Sequence, residues 1–177
     1  MRVQSIPALG VTLGVIAIAA GGAFAAQDRS TLKVPDGLSF SEFKDYESWR
    51  NVAVSETKDQ IKVIQANPVM LAAFKSGLPA KGQTFPDGSK VVKIEWTHKA
   101  NPLAPYAVEV PDQLAAIAFI EKDTKRFPKT HGWAYAKFDA DPATGALKPE
   151  GTGPECGYAC HTAVAAQDYI FTAYPPR

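Results

Sequence analysis

The chain has 177 residues, 46% of them hydrophobic, with 19 Lys and Arg against 18 Asp and Glu. That is enough for one domain with a real core. The near-neutral balance excludes the basic excess that a nucleic acid or an anionic membrane demands of a binding partner.

Arg2, an apolar run from Ile6 to Ala20 and the small-residue site Ala23-Phe24-Ala25 predict an export signal over residues 1–25. The run is shorter than the roughly 20 apolar residues of a membrane span, so the mature form is expected in the periplasm without an anchor. It starts at Ala26 or Gln27, and losing Arg2 leaves 18 charges of each sign. Residues 26–45 are polar around Pro35-Asp36-Gly37 and read as an N-terminal arm, with structure proper starting near Tyr46 and one domain over 46–177.

Within that domain, WRNVAVSET places Trp49, Val52 and Val54 among polar neighbours, and DQIKVIQA does the same with Ile61, Val63 and Ile64, predicting two strands. Asn67-Pro68 is a cap followed by proline at the first helical position, and Met70, Leu71 and Phe74 share one face. A helix is predicted over 67–76. Phe85-Pro86-Asp87-Gly88 is turn chemistry leading into SKVVKIEWTH, where Val92, Ile94 and Trp96 alternate with Val91, Lys93 and Glu95. Further strand-like runs lie at 105–110, 113–122 and 132–139, and Asp123 is placed to cap a single turn. Residues 141–154 contain three prolines and three glycines, which predicts a loop. Five or six strands with short connections make an α+β domain, mainly antiparallel β-sheet with a few short helices.

Both cysteines fall in PECGYACH, residues 154–161. Haem attachment usually uses C-x-x-C-H, in which two thiols add to the vinyl groups and the histidine binds iron. Cys156 and Cys160 are one residue further apart, yet on a helix both spacings keep them on one face, and the rise grows only from about 4.5 to about 6 Å. Two other chemistries compete. A Cys156–Cys160 disulfide closes too small a loop to stabilise much and leaves His161 without a role, and a zinc site lacks a fourth ligand.

The order of segments resembles the cytochrome P-460 family. It runs Tyr46-Glu47-Ser48-Trp49, Phe85 to Lys93, Lys122 to Phe127, Gly132-Trp133-Ala134-Tyr135, Cys160-His161, then Asp168 to Thr172. The resemblance implies an exported c-type cytochrome, commonly a homodimer, with one covalent haem c bound through Cys156 and Cys160 and with His161 as proximal iron ligand. It also implies a small nitrogen-containing ligand such as nitric oxide or hydroxylamine, and a redox partner. Members that give the family its name bond a lysine to the haem edge, and Lys93 holds that place; the competing reading is a lysine facing solvent beside Glu95.

Met70 reads as core, and His98 and His131 lie outside any ligand spacing, so the sixth iron position is expected to be open. The hydroxylamine-oxidising members need a distal carboxylate and a basic group. Ala118 stands where the acid aligns and Lys62 where the base does, with Glu95, Glu109 and Asp112 as possible substitutes. An apolar distal side resembles instead the related cytochromes c′-beta, which bind nitric oxide without turnover. The aromatic residues available to either are Phe74, Phe85, Trp96, Phe119, Trp133 and Tyr135.

Overall fold

Six strands form one antiparallel sheet in plain chain order: β1 (Arg50–Thr57), β2 (Gln60–Ala66), β3 (Lys90–Ala100), β4 (Glu109–Lys122), β5 (Trp133–Ala140) and β6 (Leu147–Pro149). Helix α1 (Pro68–Lys75) connects β2 to β3, and α2 (Pro154–His161) follows β6. This computed structural model describes residues 27–80, 82–150 and 154–176, with 154–156 described by their backbone path alone. The expected leader at 1–25 and the Cys156 side chain lie outside the described residues. Among the described residues no helix is long and apolar enough to cross a membrane.

The α+β expectation holds, and α1 starts where the proline pattern puts it. Asn67 Oδ1 accepts from the Met70 amide at 2.9 Å and from the Lys90 amide at 3.1 Å, and its Nδ2 donates to the Gly88 carbonyl at 2.8 Å. One side chain thus caps the helix and fastens the start of β3.

The sheet is covered on both faces. On one, Val92, Ile117, Phe119 and Phe138 pack against Val34, Leu38, Phe40, Phe43 and Tyr46. The expected arm is therefore a layer of the core, built from 3-10 turns at Arg29–Thr31, Phe40–Phe43 and Tyr46–Ser48. Its apolar residues follow turn spacing, so neither a period of 2 nor one of 3.6 exposes them in the sequence. On the other face, α1 and the C-terminal tail bring Met70, Phe74 and Ile170 over Val91, Phe85, Trp133 and Tyr135.

Three strand expectations change. The runs at 105–110 and 113–122 contain one long strand, β4, which passes through Pro111. Strand β5 pairs only with residues 116–122 of β4, so Pro111 lies where β4 has β3 alone as a partner and a missing amide is tolerated. The expected loop at 141–154 contains β6, whose Leu147 is fully buried and whose Pro149 sits on the sheet edge. In β1 a bulge after Asn51 breaks the alternation, so Val52 is buried and Val54 is 73% exposed.

Candidate functional site

Register decides which side chains meet on the second face of the sheet. Directly paired residues of an antiparallel ladder share a face, so Ile64, Lys93, Ala118 and Lys137 form one row across β2 to β5, flanked by the row of Lys62, Glu95 and Ala116. Helix α2 and tail residues 170–175 close over these rows and leave a cavity of about 790 Å³. Ile64, Val91, Ala118 and Ile120 give it an apolar wall, and Lys62, Lys93, Cys160 and His161 bring the chemistry.

Gly157 sets the depth of α2. A Cβ there would lie 2.5 Å from Cβ and Cγ of Tyr135, so the helix rests flush on β5 only because residue 157 has no side chain. Gly157→Ala gains about 0.5–1 kcal/mol of helix preference but overpacks this contact at a cost of about 1–3 kcal/mol. A net loss of stability is expected in thermal unfolding, and a raised melting temperature would show that the contact yields freely. The Tyr135 hydroxyl is buried with no hydrogen-bond partner among the described residues, and burial raises its pKa, so the phenol stays neutral.

His161 ends α2 with its ring 4.7 Å from that of Tyr135 and 4.9 Å from that of Phe171. Its Nδ1 is hydrogen-bonded to the Tyr169 carbonyl. A carbonyl only accepts, so Nδ1 carries the proton and Nε2 keeps its lone pair. Burial lowers the imidazole pKa below its ordinary value; the Tyr169 hydrogen bond opposes this shift and the nearby Lys93 charge adds to it. Cys160, the preceding residue, carries a free and exposed thiol.

The other expected residues separate by position. Lys93 Nζ lies 2.7 Å from Glu95 Oε1, and Lys62 Nζ lies 3.7 Å from Glu95 Oε2. Lys93 thus lies beside Glu95, as the solvent-facing reading has it, and also lines the cavity, as a haem link requires. Of the three candidate carboxylates Glu95 is the one beside the cavity. Glu109 pairs with His98 and Asp112 with Lys99, near the far end of the β3–β4 hairpin. Met70 is fully buried in the core. His98 is held by Glu109 and the Lys58 carbonyl, and His131 stacks on Tyr169 outside this cavity.

The cytochrome P-460 family model matches residues 43–172. The chain belongs to the cytochrome P-460 family. No curated protein matches the chain.

Membership of the cytochrome P-460 family implies a haem cofactor and its iron, and the donor set fits that group. The cavity lies within the roughly 300–1,000 Å³ of small-molecule and cofactor sites. Its wall is largely apolar, and His161 presents one imidazole in the tautomer that leaves Nε2 free. Among the described residues no three His, Cys, Asp or Glu side chains converge to hold a bare metal ion. Phe171 and the Tyr169 carbonyl were not legible in the sequence, because the tail from Ile170 to Pro176 has no regular structure to impose a period.

Proposed function

We propose that the protein is an exported, periplasmic c-type haem protein whose iron takes His161 on one side, is open on the other, and binds or transforms a small nitrogen compound such as nitric oxide or hydroxylamine. The observation that carries this reading is the His161 tautomer, with Nδ1 committed to the Tyr169 carbonyl and Nε2 left for a metal at the wall of an apolar cavity. An iron porphyrin, when bound, supplies an open coordination site and an electron store for such a molecule.

The chain's own groups then divide the work. The Cys156 and Cys160 thiols would hold the porphyrin covalently, and His161 Nε2 would bind its iron. Among the described residues neither a methionine nor a second histidine lines the cavity, which supports an open sixth position. Lys62 and Lys93 line the cavity and both pair with the Glu95 carboxylate behind them, which makes Glu95 the candidate proton acceptor where Ala118 provides none. Oxidation of hydroxylamine requires such an acceptor together with a redox partner to take electrons. Export rests on the leader pattern in residues 1–25, and a second copy of the chain completes a homodimer.

The test is the absorption spectrum of the reduced protein, made in a periplasm with active haem-attachment machinery, before and after nitric oxide. A high-spin haem c spectrum that changes on adding nitric oxide is the expected result. A red-shifted Soret band that disappears in Lys93→Ala assigns the lysine to the haem edge and the protein to oxidation. A colourless protein returns Cys156 and Cys160 to the disulfide reading.

A further inference from the structure

The turn after Phe85, the turn after Lys122 and the tail at Asp168 are far apart in sequence, and Phe85, Lys122 and Asp168 do not line the main cavity, yet they meet at one buried point. We propose that Asp168 is a positioning residue for the axial ligand. Clamped by Lys122 and the Phe85 amide, it holds the tail so that the Tyr169 carbonyl fixes His161 Nδ1. The inference rests on the haem reading above.

Asp168 and Lys122 are 6% and 3% exposed. Lys122 Nζ donates to both carboxylate oxygens, at 2.8 and 3.0 Å, and the Phe85 amide donates to Oδ2 at 2.7 Å. Lys122 also lies 4.8 Å from the centre of the Trp133 ring. A largely buried ion pair with three hydrogen bonds leaves the carboxylate a single orientation.

The backbone beside it needs that constraint. Asp168 has φ 50° and Tyr169 φ 63°, two successive non-glycine residues in the left-handed region. A bulky side chain stays there only where its surroundings determine the conformation. The clamp does so at Asp168, and the next carbonyl, that of Tyr169, is turned onto His161. The basicity of a metal-bound histidine follows the hydrogen bond made by its other nitrogen. Asp168 would thereby tune the iron through one carbonyl without itself lining the main cavity.

Resonance Raman spectroscopy of the ferrous holoprotein and its reduction potential test this in wild type, Asp168→Ala, Asp168→Asn and the double variant Lys122→Met with Asp168→Leu. The double variant replaces a buried ion pair with apolar side chains, a change that folds tolerate. In Asp168→Ala and in the double variant the iron–histidine stretch is expected to move to lower wavenumber and the potential to rise. Asp168→Asn, which still accepts from the Phe85 amide, moves both less. A haem-loaded double variant with the wild-type stretch and potential overturns the positioning role, whatever its melting temperature. Absence of an iron–histidine band in a wild-type protein whose reduced absorption spectrum is high-spin overturns the ligand assignment of His161 and the clamp with it.

Discussion

His161→Ala is expected to abolish the native haem spectrum. The imidazole is the sole histidine or methionine side chain lining the cavity among the described residues, so no second imidazole or thioether stands ready to replace it at the iron. Met70 lies in the core, and His98 is tied to Glu109 and the Lys58 carbonyl. Porphyrin retained through the cysteines would carry iron without its strong axial donor, changing both spectrum and potential. Absorption spectroscopy of the reduced variant beside wild type checks this, with His98→Ala and His131→Ala expected to leave the spectrum intact. An unchanged spectrum in His161→Ala would falsify the proximal assignment.

Phe119→Ala is expected to remove about 3–5 kcal/mol of stability, a large share of the roughly 5–15 kcal/mol that holds a domain folded. Phe119 is fully buried and stacks on Phe43 at 4.2 Å. Phe40, Tyr46 and Phe138 meet it edge-on at 5.0, 5.6 and 6.0 Å. Three of these four partners come from the segment before β1, so truncation opens the joint between that segment and the sheet. Urea unfolding reads the loss as a lower midpoint at an unchanged slope. A cost below about 1 kcal/mol would mean that the segment does not cover this face in solution.

The parts of the fold that were legible in the sequence are those whose signal is local. Alternation in SKVVKIEWTH marked β3, and Asn67-Pro68 marked α1 because cap and first-turn chemistry act within three residues. The N-terminal layer and β6 were not legible. Leu38 and Phe40 acquire a buried face only from a sheet that arrives later in the chain, and Pro149 is acceptable only because β6 is an edge.

The same division runs through the site. The sequence by itself brought the thiols and the imidazole together, because Cys156, Cys160 and His161 lie within a single helix of eight residues, where the spacing of four puts the two cysteines on one face. Only the tertiary structure decided that Glu95, rather than Glu109 or Asp112, stands beside the cavity, that Lys93 reaches it, and that the Tyr169 carbonyl selects the His161 tautomer. Those contacts join β2, β3, α2 and the tail, and a one-residue slip of register would send each strand's side chains to the opposite face. Pairing across strands, which no single segment encodes, therefore determines which of several equivalent lysines and carboxylates become part of the site.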